Sequence, residues 1–296
     1  MEHLIRLAQP PREAELRLVR PSNVALVSWN ARAPRGSIEL AALYADGTRS
    51  GWIPFARWAE EERRSLGGVD GDFELALDTA RAERPPAALL ARSDVDLDAL
   101  WLATPPKRKP VARNGAREAA LDLDVPAYSQ YLASQPTERG LCSPTSLAML
   151  LAFWGLRLGA ARVAEGVRDA AYGGTGNWAF NAAFAGSHGF AAATAYLRDL
   201  HQVRRFIAAG IPLAVSIAWN EGELPFPPLP ASDGHLLVVR GFSAESAVLV
   251  NDPAHRRLRV AYPADAFERA WLGHGGIAYL VAPAERADDL VALANG

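Results

Sequence analysis

The only cysteine of this chain, Cys142, directly precedes a long apolar segment. Residues 143–154 are apolar nearly all round, with Pro144 near the start and Gly155 after the end, which predicts a buried helix that begins beside the thiol. A helix N-terminus carries about half a positive charge, which lowers the pKa of a thiol there and favours the nucleophilic thiolate. An inert buried cysteine is the common alternative, but the position at a helix start favours a nucleophile.

A thiolate nucleophile also needs a general base and a group that orients this base. His235 begins the apolar run His-Leu-Leu-Val-Val, and Asp252 follows the run Val-Leu-Val-Asn. If the two runs pair as an antiparallel hairpin that turns near 244–246, the two side chains face each other within a few positions. An aspartate beside a histidine fixes the imidazole tautomer and supports its charged form. Together with Cys142, the pair predicts nucleophilic thiol catalysis.

A metal site is the competing use of these residues. His255 follows Asp252 by three residues, but no His-x-x-x-His pair or carboxylate cluster accompanies it. We therefore expect neither a metal nor another cofactor.

Composition limits the classes of function. The chain has 296 residues, 31 Lys and Arg against 33 Asp and Glu, a net charge of -2 and 50% hydrophobic residues. This length predicts two domains, each with its own core. The nearly balanced charge argues against nucleic acid or an anionic membrane as the main partner, because both require a basic surface. The lone cysteine excludes an intramolecular disulfide and any cysteine-cluster metal site.

The sequence contains no recognisable signal peptide or membrane span. Residues 1–12 alternate charged and apolar residues, and the longest apolar run, 147–156, has about half the length that a membrane span needs. We expect a soluble protein, cytoplasmic as written and secreted if a signal sequence has been trimmed from it.

Two parts of different character are separated by a basic, proline-rich segment. Short apolar runs between turn residues predict an all-β sandwich or jelly roll in residues 1–104, and residues 105–117 have the composition of a linker. In residues 118–296, helices precede most of the strands, which predicts an α+β domain. The first part has predicted strands at 16–19, 24–29, 38–45, 52–58, 73–77, 87–91 and 100–103. The second has predicted helices at 143–154, 160–171, 177–187, 199–209 and 264–272, and strands at 213–219, 235–242, 247–251, 257–262 and 277–281.

Three tryptophans of the first part, Trp29, Trp52 and Trp58, are candidates for a ligand platform of the kind that carbohydrate-binding sandwiches use. A glycan or cell-surface ligand is accordingly a candidate partner of this part. Packing in the core is the interpretation that we favour for these side chains.

Two loops are candidates for shaping substrate access. The glycine-rich stretch 173–177 leads into a helix at Asn177 and Trp178, which predicts an amide and an indole beside the cleft as substrate-binding groups. The alternative is a flexible loop with Asn177 as the N-cap. The proline-rich, acidic loop 220–233 directly precedes His235, so it is either a lid or a surface connection.

Six stretches together resemble family 39 of the cysteine peptidases, in its bacterial C39-like branch with a papain-like fold. They are Leu-Asp-Val-Pro-Ala-Tyr-Ser-Gln (123–130), Leu-Cys-Ser-Pro-Thr-Ser-Leu-Ala-Met-Leu-Leu-Ala-Phe-Trp-Gly (141–155), Gly-Thr-Gly-Asn-Trp-Ala-Phe-Asn (174–181), Ala-Gly-Ile-Pro-Leu-Ala-Val-Ser-Ile (209–217), Gly-His-Leu-Leu-Val-Val-Arg-Gly-Phe (234–242) and Val-Asn-Asp-Pro-Ala (250–254). The resemblance implies a papain-like domain over 118–296, and a preceding sandwich resembles a group of mostly secreted bacterial members.

The resemblance also implies roles for individual residues. Cys142 is then the nucleophile, His235 its base and later acid, and Asp252 the orienting residue. Gln130 matches the family glutamine whose side-chain amide joins the backbone N–H of Cys142 in the oxyanion hole. Gln135 is nearer to Cys142 in sequence and is the rival for this role.

The chain departs from the family pattern in two ways. Many relatives have Cys-Gly-Pro where this chain has Cys-Ser-Pro, although the secreted branch accepts serine there. The transporter-fused members cut leader peptides after a double glycine, and since this sequence has no membrane domain and no ATPase, leader processing is not expected of it.

Three functions are compatible with these residues. The leading hypothesis is a cysteine peptidase that acts on peptide or amide bonds. A thiol acyltransferase or cell-wall amidase uses the same triad, because the shape of the cleft selects the acceptor. A non-catalytic adaptor would combine a glycan-binding sandwich with a degenerate papain-like domain, but the intact set of four residues argues against degeneracy.

Overall fold

The computed structural model describes residues 3–107, 119–131 and 140–296. The chain divides into two compact units. The first comprises Met1–Pro105, Val167–Ala195 and Pro283–Gly296, and the second comprises Pro106–Gly166 and Tyr196–Ala282. Most of the predicted linker, residues 108–117, lies outside the described residues, and the predicted domain limits of 1–104 and 118–296 stay predictions.

Residues 4–103 form two antiparallel sheets, which confirms the all-β prediction for this part. The strands are β1 (Leu4–Ala8), β2 (Glu13–Arg17), β3 (Val24–Asn30), β4 (Gly36–Leu43), β5 (Ile53–Trp58), β6 (Arg63–Ser65), β7 (Gly67–Asp70), β8 (Phe73–Ala76), β9 (Thr79–Ala82), β10 (Ala88–Ser93) and β11 (Ala99–Ala103). One sheet has the order β1-β11-β3-β9-β8-β7, and the other has the order β2-β10-β4-β5-β6. The sequence pattern missed β1, β6, β7 and β9. The residues of β7, Gly-Gly-Val-Asp, are all exposed, and only its backbone is paired.

The two sheets enclose one apolar core, to which both contribute alternate side chains. Trp29 and Trp58 lie in this core with ring centroids 5.3 Å apart. Trp52 is half-buried, and the guanidinium of Arg92 lies 4.6 Å from the centroid of its ring. Two of the three candidate platform residues are therefore packing residues, as the favoured interpretation predicted.

The elements beyond residue 119 confirm the predicted α+β class. The ends of the predicted elements differ from the observed ones by up to four residues, and the strands at 121–122 and 190–196 and the helix at 287–295 were not predicted. In chain order they are β12 (Leu121–Asp122), α1 (Cys142–Phe153), α2 (Ala160–Val167), α3 (Trp178–Ser187), β13 (Phe190–Tyr196), α4 (Leu200–Ala208), β14 (Leu213–Trp219), β15 (Ser232–Phe242), β16 (Val248–Asn251), β17 (Arg259–Tyr262), α5 (Ala264–Gly273), β18 (Ile277–Pro283), a 3₁₀ turn (Ala284–Arg286) and α6 (Ala287–Asn295). In the described part of the chain, no helix has the length and apolarity that crossing a membrane requires.

Within the first unit, α3 packs against the sandwich strands. Phe180 meets Trp29 edge-on at 5.6 Å and belongs to the sandwich core. The buried Asn30 of β3 donates to the carbonyl of Ala192 at 2.8 Å and accepts from its N–H at 3.2 Å. These contacts join the segment 167–195 to the N-terminal strands in one compact unit.

A buried carboxylate, Asp169, organises the loop before α3. It accepts hydrogen bonds from the backbone N–H of Ser65 at 2.9 Å, from the N–H of Ala171 at 3.0 Å and from the side chain of Asn177 at 2.9 Å. The predicted helix 160–171 ends at Val167 because this network holds the following backbone in turns.

The second unit is built on an antiparallel sheet in which β18, β14, β15, β16 and β17 are successive neighbours. The short strand β12 also pairs with β15, at Gly241. A Cβ at this glycine would lie 2.1 Å from the carbonyl oxygen of Leu121, so the close approach of β12 requires glycine.

Helix α1 packs against β15 and β14 of this sheet. All of its residues from Cys142 to Ala152 are buried, as its all-round apolar pattern predicted. The helix ends at Phe153, and Gly155, with a positive φ of 95°, continues the chain in a left-handed conformation. The sheet and this helix together position the candidate site.

Candidate active site

Cys142 is the first residue of α1, where free backbone N–H groups accumulate. Its thiol is buried, and the imidazole of His235 and the backbone N–H groups of Leu236 and Ser143 act on it electrostatically. Burial raises the pKa of this thiol, but His235 and the backbone donors outweigh burial and lower it below its ordinary value. The surroundings of the sulfur therefore favour a thiolate.

His235 lies in β15 with its side chain almost fully buried. Its Nε2 donates to Oδ1 of Asp252 at 2.7 Å, which leaves Nδ1 as the ring nitrogen available to the thiol. Burial lowers the pKa of this imidazole, but Asp252 and Cys142 outweigh burial and raise it from 6.5 to about 10. Asp252 and Cys142 thus favour the cationic form of this imidazole.

The hairpin of β15 and β16 brings His235 and Asp252 together. Val238 pairs with Asn251, so the residue directly after β16 lies at the end of β15 where His235 stands. This antiparallel register confirms the pairing predicted from the two apolar runs.

The Asp252 carboxylate is completely buried and receives further hydrogen bonds. Its Oδ2 accepts from the hydroxyl of Tyr262 at 3.0 Å, and its Oδ1 also accepts from the N–H of Ala254 at 3.0 Å. Burial raises the pKa of Asp252, but the bond and the charge of His235 outweigh it and lower the pKa below 3.8. The carboxylate is therefore ionised at neutral pH.

Two residues of this arrangement were not predicted from the sequence. Tyr262 ends an ordinary amphipathic strand, and Trp219 ends a strongly apolar one, so each was predicted only as a strand residue. The indole of Trp219 meets the His235 ring edge-on, with centroids 5.8 Å apart, and its Nε1 donates to the carbonyl of Leu229 at 3.1 Å. Only the three-dimensional packing indicates either contact.

Gln130 is attached to the turn that carries Asp252. Its backbone N–H donates to the carbonyl of Pro253 at 2.9 Å, while Asn251 donates to the carbonyl of Val125 at 3.0 Å. The side-chain Oε1 of Gln130 is buried and has no hydrogen-bond partner among the described residues. Gln135, the rival oxyanion residue, lies outside the described residues.

Asn177 and Trp178 belong to the first unit, whereas Cys142, His235 and Asp252 belong to the second. Asn177 is buried and is the N-cap of α3: its Oδ1 accepts from the N–H of Phe180 at 3.3 Å. The N–H of Trp178 donates to the buried carboxylate of Asp78 at 3.0 Å. The N-cap interpretation is confirmed, and a role of these residues in substrate binding stays a prediction.

The described residues contain no group of three or more His, Cys, Asp or Glu side chains that would hold a metal ion. His255, the residue considered for such a site, accepts at Nδ1 from the N–H of Arg257 at 3.1 Å.

A cavity of about 620 Å³ opens in the second unit beside the strand ends that carry the site. Trp219 of β14, Asp233 of β15, Arg269 and His274 are among the residues that line it. Burial lowers the pKa of His274, so this imidazole is neutral at pH 7. The loop 220–231 adjoins the cavity and exposes Phe226, with 87% of its surface accessible.

Two family models match parts of this chain, and similar chains are found among solved structures. Residues 14–100 match the model of the Peptidase C39 N-terminal domain. Among solved structures, one described as a C39-like peptidase from Bacillus anthracis is 20% identical, covers 56% of this chain and 98% of its own, and has a TM-score of 0.44. A double glycine motif protease from an AMS/PCAT transporter, in complex with the leader peptide, is also 20% identical, covers 56% of this chain and 99% of its own, and has a TM-score of 0.38.

A search of curated proteins gave no significant match. The decisive match is that of residues 122–279, more than half of the chain, to the model of the Peptidase_C39 like family. These residues contain the buried thiol, imidazole and carboxylate described above. The chain therefore belongs to the Peptidase_C39 like family and is a cysteine peptidase-like hydrolase.

Proposed function

We propose that this protein hydrolyses peptide or amide bonds through an acyl-enzyme on Cys142. The observation that carries the proposal is the buried arrangement of three groups, in which the His235 imidazole acts electrostatically on the Cys142 thiol and donates a hydrogen bond to the Asp252 carboxylate. Buried charges are costly unless opposite charges lie close to them, and here His235 carries the charge opposite to those of Cys142 and Asp252.

The reaction follows from the charges of the three groups. The thiolate of Cys142 attacks the substrate carbonyl, and the electrons of the C=O bond move to its oxygen. The imidazolium of His235 donates its proton to the leaving nitrogen as the C–N bond breaks, which leaves a thioester. Water then attacks the thioester, His235 accepts a proton from the water, and breakage of the C–S bond restores the thiolate and the imidazolium. Asp252 keeps the imidazole oriented and stabilises its charge in both steps.

Gln130 completes the site in this proposal. Its side-chain amide N–H₂ and the backbone N–H of Cys142 would donate to the oxygen of the tetrahedral intermediate, and each such donor stabilises the intermediate by about 3 kcal/mol. The support is the link of Gln130 to Pro253, which fixes its backbone next to the residue that orients the base.

A peptide is the substrate class that we propose. The double glycine motif protease among the similar structures is in complex with its leader peptide. In this chain, the cavity bordered by Trp219, Asp233 and Arg269 offers both charges and an aromatic ring next to His235. These groups suit the side chains and termini of a peptide.

The test uses the fact that Cys142 is the only cysteine, so every thiol label reports on this residue. Iodoacetamide at pH 6 is expected to alkylate the native protein at least about tenfold faster than free cysteine, whose thiol is almost wholly protonated there. Cys142→Ala is expected to abolish cleavage in a peptide library. Labelling no faster than free cysteine, together with unchanged amide cleavage by Cys142→Ala, would refute the proposal.

A further inference from the structure

Tyr262 holds a position in the site that its place in the sequence does not suggest. It ends β17, and its side chain is fully buried with the ring stacked on Phe267, at a centroid distance of 6.1 Å and an interplanar angle of 23°. The hydroxyl donates to Oδ2 of Asp252 at 3.0 Å. The fixed ring therefore places its hydroxyl at one defined point beside the carboxylate.

The two oxygens of Asp252 have different partners. Oδ1 accepts from Nε2 of His235 and from the N–H of Ala254, whereas Oδ2 accepts from Tyr262. Rotation of the carboxylate about its Cβ–Cγ bond would break all three bonds at once. Without the hydroxyl, Oδ2 would be a buried ionised acceptor with no donor, and rotation or tilting of the carboxylate would be its only relief.

The backbone of the same turn is fixed independently of this hydroxyl. The N–H of Asp252 donates to the carbonyl of Leu258 at 2.7 Å, and Asn251 donates to the carbonyl of Val125. Removal of the hydroxyl should therefore leave the turn in place and free only the carboxylate group.

We propose that Tyr262 is a positioning residue of the catalytic site, which holds the Asp252 carboxylate in the plane that presents Oδ1 to His235. This inference rests on the proposed thiol mechanism. Tyr262 touches neither substrate nor nucleophile in it and acts only through Asp252. Its hydroxyl contributes to the rate by keeping the imidazolium oriented and supported.

The test is Tyr262→Phe, which keeps the stacked ring and removes one oxygen atom. We expect kcat for a cleaved peptide to fall by about ten- to a hundredfold with KM nearly unchanged, the size of effect given by an unsatisfied buried charged acceptor. A misaligned carboxylate supports the imidazolium less well, so the basic limb of the pH–rate profile should move down by about one unit. Tyr44→Phe, which removes a buried hydroxyl from the first unit, is the matched control and should leave kcat and both limbs in place.

Each outcome decides one question. Two results would overturn the positioning role. A lower kcat with an unchanged basic limb of the pH–rate profile would mean that the substitution only loosens the packing of the site. A basic limb at higher pH would mean that the hydroxyl only weakens the negative charge of the carboxylate. If the wild-type protein neither labels rapidly at Cys142 nor cleaves peptides, the proposed function itself fails, and this failure is visible before any variant is compared. Thermal unfolding of each variant shows whether the fold is retained.

Discussion

Asp252→Asn separates the charge of the orienting residue from its geometry. The Ala254 N–H can only donate, so the asparagine must keep its carbonyl oxygen toward Ala254 and His235. Its amide nitrogen then faces the hydroxyl of Tyr262, which can turn and accept. The hydrogen bond to Nε2 therefore survives the substitution, and what is lost is the negative charge.

The size of the effect follows from the pKa of His235. Asp252 is the first of the groups that raise this pKa from 6.5 to about 10 against the cost of burial. An adjacent opposite charge typically contributes about 1–3 pKa units, so the pKa of His235 in the variant should be about 8. At pH 7 the thiolate–imidazolium pair would still be about 90% formed. At pH 9 about 90% of the pair would be formed in the wild type and about 10% in the variant. The ratio of activity at pH 9 to activity at pH 7 should therefore be about ninefold lower in the variant.

The assay is the pH dependence of kcat/KM for one peptide, followed from pH 5 to 10 in wild type and variant. The alkylation rate of Cys142, measured over the same range, reports the ion pair without substrate. The basic limbs of the kcat/KM profile and of the alkylation profile should both move to lower pH in the variant. The acid limb, which reports ionisation of the thiol, should keep its position. An unchanged ratio of activity between pH 9 and pH 7 would refute the argument that Asp252 acts on the imidazole through its charge.

Other predictions concern single parts of the molecule. Gln130→Ala should lower kcat by about a hundredfold and leave the alkylation rate of Cys142 unchanged, because alkylation forms no oxyanion; slower alkylation would assign Gln130 a structural role instead. Asn177→Ala removes an N-cap and should lower the free energy of unfolding in urea by about 1 kcal/mol with an unchanged KM, whereas a raised KM would establish substrate binding. The raised pKa of His235 stabilises the fold fully below about pH 6.5, and this stabilisation is lost as the pH rises through about 10. His235→Gln should therefore reduce the decline of Tm between about pH 6.5 and 10. An equally steep decline of Tm in the variant would assign the decline to other groups. Deletion of residues 1–104 exposes the apolar face of α3 around Phe180 and should give an aggregating product; a soluble, cooperatively unfolding fragment would contradict the packing argument.

The sequence predicts well those features that rest on local patterns. The apolar run after Cys142 predicted a buried helix with the thiol at its start, and two apolar runs predicted the hairpin register that joins His235 to Asp252. Both predictions use signals within a short stretch of chain, namely helix boundaries and strand alternation. The contacts of Tyr262 and Trp219 were not predictable in this way, because their partners, Asp252 and His235, lie 10 and 16 residues away in the chain and no period links them.

The division of the chain into compact units shows a second limit of local patterns. The change of composition near residue 105 predicts a domain boundary there, and this stays a prediction. It gives no indication that the segment 167–195, which the peptidase family model includes, packs within the first unit. The reason is physical: α3 has a low amphipathic contrast and is buried on several sides, so its apolar residues need a surface to pack against. The sandwich strands supply such a surface through Trp29, and Asn30 pairs with the backbone of Ala192 that follows. The N-terminal strands therefore form one compact unit with residues that the family model includes.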